Sequence, residues 1–380
     1  MKTLFTKLFG TSLLVLSLSS SAQWSNKGFT FQGNARQYRV YKSPNYNASN
    51  PASLVLTLHG LGDNMTNFSG IGMNTVADTA NIIVVVPQAM TDALAGTAWN
   101  SGAGMSGYFP NSSINDVAFM SALIDTIKNN YVINANRVYA CGFSMGGFMT
   151  ERLAIALNNK ITAFASVSGT FGTGLSSYNP NKKISIAHFH GTADGTVPFA
   201  GNASGISADS LVKFWVNNDQ CNTTPVHTAL PNTKNDGYTV DHYKYINGLN
   251  NSEVEFFKVT GADHVWLTAA NDISYTVEIW KFFNKHKTLT TTGINDIESK
   301  IEMTISPNPT TNKISIKSSD NVKNCTIKIY NTIGQQLFKQ EWSGEETTIS
   351  LKNSGLVNGT YYLEFTNDSK TLTKKIVLID

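Results

Sequence analysis

Gly142-Phe143-Ser144-Met145-Gly146 is a GxSxG pentapeptide whose setting gives it chemical meaning. The apolar run Arg137 to Cys141 before it predicts a strand, and the stretch from about Met145 predicts a helix. A sharp strand-to-helix turn strains the residue at its apex and brings the two elements too close for side chains at the flanking positions, so small residues must stand there. Such a turn lifts the Ser144 hydroxyl clear of a sheet. It also aims the Met145 amide, at a helix N-terminus, toward the place where an oxyanion would form. Alone, the pentapeptide is equally a Gly-rich turn in a chain with 29 glycines. A serine nucleophile needs a base, and the base needs an acid to orient it.

The partners expected on such a fold follow in the order Ser, acid, His. Asp194 lies in His190-Gly191-Thr192-Ala193-Asp194-Gly195, directly after the apolar run Ile184 to His190, although Asp before Gly is also a common turn pair. Asp116 and Asp125 precede Ser144, while Asp236 and Asp241 lie in or near a turn leading into a strand. His264, in Gly261-Ala262-Asp263-His264-Val265-Trp266, follows the run Val254 to Val259. His59, His188 and His190 precede the acid and have the wrong order. Asp263 reads as a loop or capping residue. His59-Gly60-Leu61 follows the run Ser53 to Leu58, where the second oxyanion donor belongs, and the Leu61 amide is the candidate.

Two motifs are decoys. Gly102-Ala103-Gly104-Met105-Ser106-Gly107 spells GxGxxG, but it lacks the preceding strand and following helix that a dinucleotide site requires. His188 and His190 share one strand face without a third ligand, which favours core or supporting histidines over a metal site.

The elements that must position these residues alternate between short apolar runs and longer amphipathic ones from Phe29 to about Lys287, the pattern of a mostly parallel sheet flanked by helices. Strands are expected at Ser53–Leu58, Ile82–Val86, Arg137–Gly142, Ala163–Val167, Ile184–His190 and Val254–Val259, and helices at Asp116–Asn129, Met145–Leu157, Ser207–Asn217 and Ile273–His286. Lys2 and Lys7, the apolar run Leu8 to Leu18, which is too short to span a bilayer, and the small residues up to Ala22 predict a signal peptide over 1–22. No later segment reaches membrane-spanning length. Residues 23–287 form the expected catalytic domain and 288–303 a linker. Residues 304–380, with short alternating runs between turns, predict a small all-β sandwich.

Twenty-nine Lys and Arg against 26 Asp and Glu leave a net charge of +3 without a basic block, so the electrostatic footprint of a nucleic-acid binder is missing. Cys141, Cys221 and Cys325 match no zinc-finger or CxxC spacing.

The stretch from about Thr30 to His286 resembles the secreted esterase family of polyhydroxybutyrate depolymerases, feruloyl esterases and acetyl xylan esterases, an α/β-hydrolase fold. The resemblance is carried by Leu58-His59-Gly60, Trp99-Asn100, Asn115-Asp116-Val117-Ala118-Phe119, Arg137-Val138-Tyr139, Gly142 to Gly147, His190 to Asp194 with Val197-Pro198, and His264-Val265-Trp266. It implies Ser144, Asp194 and His264 as a triad with Leu61 at the oxyanion position. The chain departs from the family in lacking paired cysteines after Trp99, in leaving Cys221 without a following partner before Cys325, and in the absence of Pro-Gly after Trp266. The tail resembles the C-terminal sorting domain of type IX secretion, through Ile305 to Thr310, Ile329 to Gly334, Gly355 to Tyr362 and Lys374 to Ile379. A carbohydrate-binding sandwich is the competing reading of that tail.

Acyl transfer through a covalent intermediate is the implied mechanism, with no metal or organic cofactor. Only Ser168 to Lys183 separate two sheet strands where relatives insert a lid, so an open cleft lined by Trp99, Tyr108, Met145, Phe199 and Trp266 is expected. The expected partners are a polymeric ester, from plant cell wall or polyester, and the type IX secretion machinery, with export to the cell surface or medium. A serine peptidase of the same fold and an inactive surface binding protein remain as alternatives.

Overall fold

In the computed structural model the described residues are 23–287 and 303–380, apart from 105–106, 176–178, 181, 333 and 368–369. The expected signal peptide, and the expected linker up to residue 302, lie outside them. Contacts divide the chain into two compact units, Met1–Thr288 and Leu289–Asp380.

The strands of the first unit are β1 (Gln23–Phe31), β2 (Asn34–Lys42), β3 (Ala52–Leu58), β4 (Ile82–Pro87), β5 (Met90–Asp92), β6 (Gly96–Ala98), β7 (Ile133–Phe143), β8 (Ala163–Val167), β9 (Ser185–Gly191), β10 (Val226–Ala229), β11 (Thr239–Tyr245) and β12 (Val254–Thr260). Ten of them form one sheet in the order β1-β2-β4-β3-β7-β8-β9-β12-β11-β10, with β5 and β6 as a separate hairpin. The six central strands, β4 to β12 in that order, are mutually parallel. They are the six strands expected from apolar runs: β3, β4, β8 and β9 are buried at every residue, as strands covered on both faces must be. The antiparallel strands at either edge were not expected. Their residues alternate in burial or stay exposed, as in β2 and in the wholly exposed β10.

Two short helices, α1 (Met65–Phe68) and α2 (Met73–Ala77), join β3 to β4, and alternation along each strand sorts side chains into two cores. Leu54, Leu56, Ile83 and Val85 point to one face, with Phe119, Leu123, Met149, Leu211 and Trp215 of α3 (Asp116–Asn130), α4 (Met145–Ala156) and α5 (Ala208–Asp219). Val55, Ile82 and Val84 point to the other, with Ile279, Phe282 and Phe283 of α6 (Tyr275–Lys285). Each such buried side chain contributes about 1.5–3 kcal/mol relative to exposure. Helix α3 begins at Asn115, whose side chain accepts from the Ala118 amide at 3.1 Å, and α5 begins at Ser207, which accepts from Ser210. Among the described residues no helix is long and apolar enough to cross a membrane.

The second unit is all-β: β13 (Met303–Ser306), β14 (Lys313–Tyr330), β15 (Gln336–Ser350), β16 (Gly359–Asn367) and β17 (Lys370–Leu378), paired antiparallel. The 18-residue β14 pairs with β13 near its start and with β16 near its end, and β15 follows it through three register shifts. One core, including Ile314, Ile316, Ile327, Ile329, Leu363 and Phe365, serves both halves of β14.

Candidate active site

Ser144 sits between β7 and α4 at φ 56° and ψ −124°, a backbone region that disfavours any residue but glycine and costs about 1–3 kcal/mol. The turn is held by hydrogen bonds from the Ser144 amide to Val167 O, 2.9 Å, and from the Phe148 amide to Ser144 O, 3.0 Å. The surrounding glycines are obligatory. A Cβ at Gly142 would lie 2.2 Å from Gly146 O, and one at Gly146 would lie 2.0 Å from Leu58 O.

Asp194 is buried in the loop after β9. Its Oδ1 accepts from the amides of Thr196 and Val197 at 3.0 and 2.7 Å, and its Oδ2 accepts from His264 Nδ1 at 2.9 Å. Burial alone would raise its pKa, but the bonds from His264, Val197 and the Ser168 hydroxyl, with the charge of His264, outweigh it and hold the carboxyl below its ordinary value. With Nδ1–H committed to the carboxylate, the neutral ring has its lone pair on Nε2, the arrangement a general base needs. Asp263 ties the two loops together, its Oδ1 accepting from the amides of Gly195 at 3.0 Å and His264 at 2.7 Å. Ser144 and His264 share no hydrogen bond among the described residues; the Phe143 ring, stacked on His264 with centroids 4.7 Å apart, puts the imidazole beside the elbow. Nucleophile–base contacts commonly tighten only when substrate binds.

On the other side of Ser144 runs the loop after β3. A Cβ on Gly60 would stand 3.4 Å from Ser144 Cβ, so this backbone passes alongside the serine. His59 orders it. Its Nε2 accepts from the Ala89 amide at 3.1 Å, so its Nδ1–H donates to Gly60 O at 2.7 Å, and burial lowers its pKa and keeps the ring neutral. The Gly62 amide donates to Thr97 O at 2.8 Å. The Leu61 amide has no hydrogen-bond partner among the described residues, and the Met145 amide, first in α4, has no helical acceptor. Both remain able to donate to an oxyanion.

Of the residues expected to line the cleft, Trp99 requires correction. It is fully buried, and its indole N–H donates to His59 O at 2.9 Å, so it packs beneath the loop rather than facing substrate. The Met145 side chain is also buried and belongs to the core under α4, leaving only its amide for the site. Tyr108 is exposed, with its hydroxyl spent on the Asp92 carboxylate at 2.7 and 2.8 Å. Phe199 is half-buried, 5.6 Å from the His190 ring, and Trp266 is half-buried with its indole N–H donating to Thr276 Oγ1 at 3.0 Å. The GxGxxG segment packs through Gly102 against Leu175 and through Gly104 against Phe109. His188 and His190 are a buried pair behind the acid: His190 Nε2 donates to Val197 O at 2.8 Å and lies 3.6 Å from Asp194 Oδ2, so its Nδ1 accepts from His188 Nε2 at 3.1 Å. Burial lowers both pKa values, His188 the further. Among the described residues no cluster of three or more His, Cys, Asp or Glu could hold a metal ion. The sequence reading missed the parts played by His59, Ser168 and Phe143. His59, in the His59-Gly60-Leu61 stretch, and Phe143, inside the GxSxG motif, carried a local signal, and Ser168 carried none.

A Ser on a strained elbow, a carboxylate-bound imidazole and two free amides are groups that can carry out acyl transfer, and residues 45–236 match the model of a family described as phospholipase/carboxylesterase. The chain belongs to the phospholipase/carboxylesterase family. Residues 304–379 of this carboxylesterase-family chain match a secretion system C-terminal sorting domain. The chain is 31% identical over 212 residues to a bifunctional acetylxylan esterase/xylanase of Neocallimastix patriciarum, covering 55% of this chain and 28% of that protein. It is 29% identical over 180 residues to feruloyl esterase D of Neurospora crassa, covering 44% and 56%, and 25% identical over 248 residues to a probable feruloyl esterase C of Aspergillus niger, covering 61% and 82%. It thus spans about a quarter and about half the length of the first two. Among solved structures, an acetyl xylan esterase from Aspergillus awamori is similar with a TM-score of 0.48 and 15% identity, covering 68% of this chain and 99% of that one.

Proposed function

We propose that this protein is an exported serine carboxylesterase acting on acyl esters of plant polysaccharide, feruloyl or acetyl. The observation that carries the reading is the 2.9 Å hydrogen bond from His264 to Asp194, beside a Ser144 held at positive φ. In this mechanism His264 Nε2 takes the Ser144 proton as Oγ attacks the ester carbonyl, and Asp194 stabilises the imidazolium that forms. The amides of Leu61 and Met145 hold the oxyanion, and the imidazolium then protonates the leaving alkoxide. Water, deprotonated by His264, releases the acid and restores the serine. The similarity to acetylxylan and feruloyl esterases supports the substrate class. The sorting domain supports the type IX secretion machinery as partner and a surface or extracellular destination, and Lys2, Lys7 and the apolar run Leu8 to Leu18 support residues 1–22 as signal peptide.

The test is hydrolysis of acetylated xylan, methyl ferulate, p-nitrophenyl acetate, polyhydroxybutyrate film and a peptide anilide by the purified protein and by Ser144→Ala. Wild type should hydrolyse the first three, with kcat about 10⁶ above the variant. Equal rates for the two proteins would end the enzyme assignment. Polyhydroxybutyrate or the anilide as the best substrate would replace the substrate class.

A further inference from the structure

Phe143 stands between Gly142 and the candidate nucleophile, at the last position of β7. Its ring lies against the imidazole of His264, centroids 4.7 Å apart and planes 28° from parallel, although 121 residues separate the two in the numbering. The Phe143 ring also meets Trp266 at 90° and 6.2 Å, and Trp266 meets Phe68 at 82° and 5.7 Å. Trp266 is in turn anchored by its bond to Thr276, whose hydroxyl donates to Ile71 O. Phe143 is thus wedged between an anchored indole and the imidazole of His264.

Asp194 holds His264 by one hydrogen bond. One such bond restrains Nδ1 but yields to small coupled rotations of the side chain, and these shift Nε2, on the far side of the ring, relative to any hydroxyl it must deprotonate. A flat group on the imidazole face removes that freedom. The same face attracts the ring more strongly once it carries a proton, because an aromatic π-face stabilises a cation within about 6 Å.

We infer that Phe143 is a positioning residue that sets the plane of the His264 imidazole, so that the x of this GxSxG motif serves the base as well as the turn. The inference rests on the serine-esterase reading of the site. It differs from a filling role in the adjoining core, because a filling role needs apolar volume and not a ring.

The experiment compares Phe143→Leu, which keeps apolar volume without a ring, with Phe143→Tyr, which keeps the ring. For each, kcat and KM on p-nitrophenyl acetate, the rate of inactivation by a fluorophosphonate, and the melting temperature are measured in the full chain. Phe143→Leu should lose about 10- to 100-fold in kcat and in inactivation rate, with KM within about two-fold, while Phe143→Tyr stays within about three-fold of wild type. Phe143→Met, unbranched and adaptable, provides the same comparison if the Leu variant does not fold. Wild-type kcat in the ringless variant, a loss confined to KM, or equal losses in Leu and Tyr variants would overturn the inference. A wild-type protein that neither hydrolyses esters nor reacts with the fluorophosphonate would instead overturn the esterase reading.

Discussion

Asp194 Oδ2 and His264 Nδ1 are 2.9 Å apart across 70 residues of chain, and the carboxylate oxygen that receives the imidazole is backed by a second oxygen bound to two amides of its own loop. The carboxylate is therefore fixed before the histidine meets it, and it dictates which imidazole nitrogen carries the proton.

Asp194→Asn should keep the loop but let an amide N–H face His264, favouring the wrong tautomer. A fall of about 10⁴ in kcat is expected, with little change in melting temperature. Steady-state kinetics on p-nitrophenyl acetate beside a thermal melt would check this; a loss below ten-fold would remove Asp194 from the site.

Glu151, on α4, is buried with Oε2 accepting from Trp215 Nε1 at 2.8 Å, and burial pushes its carboxyl up to about 8 despite that bond. In an unfolded chain a glutamate titrates near about 4.3. The folded protein therefore holds this proton more tightly. Stability from it is complete below about pH 4, falls by at most about 1.4 kcal/mol per unit as pH rises to about 8, and then levels off. Glu151→Gln, which keeps an oxygen for Trp215, should flatten the melting temperature between about pH 5 and pH 8. Parallel curves for the two proteins would refute the assignment.

Gly146→Ala would place a methyl 2.0 Å from Leu58 O and 2.6 Å from Leu58 C, both backbone atoms that cannot swing aside. Destabilisation of about 3 kcal/mol or more is expected in denaturant titration, with loss of turnover. Gly195→Ala is the control, since its methyl would meet nothing closer than 3.7 Å, and it should unfold as the wild type does.

Asp116 pairs with Arg36 at 2.7 Å with both side chains almost wholly buried, and its other oxygen accepts from the Asn100 amide at 2.8 Å. Removing it strands a guanidinium in the core, so Asp116→Ala should cost about 3–5 kcal/mol. Asp125 pairs with Lys160 at the surface, 2.6 Å apart, and Asp125→Ala should cost no more than about 1 kcal/mol. Chemical denaturation of both variants tests the contrast; similar costs would contradict it.

The candidate site residues could be singled out in the sequence because their settings are local. A run of apolar residues such as Ile82 to Val86 declares a strand buried on both faces, and the loop after a parallel strand is where an α/β sheet builds its site. The strands β1, β2, β10 and β11 were not legible. They mix polar and apolar residues because one face, or the whole strand, is open to water. Trp99 misled for a related reason: a large aromatic in a loop looks the same in sequence whether it faces substrate or, as here, packs under His59 with its indole N–H bound.

The sequence by itself determined which side chains could react, the order of Ser144, Asp194 and His264 along the chain, and the glycines that let an elbow form. Those are matters of residue type and of sterics within a few residues. Only the tertiary structure decided that β3, β7, β8, β9 and β12 lie side by side. That order is why Gly60 passes Ser144, His59 holds one tautomer, and Phe143 covers the face of His264. Strand order follows from how the two cores close around the whole sheet, a sum over distant contacts that no single stretch of residues carries.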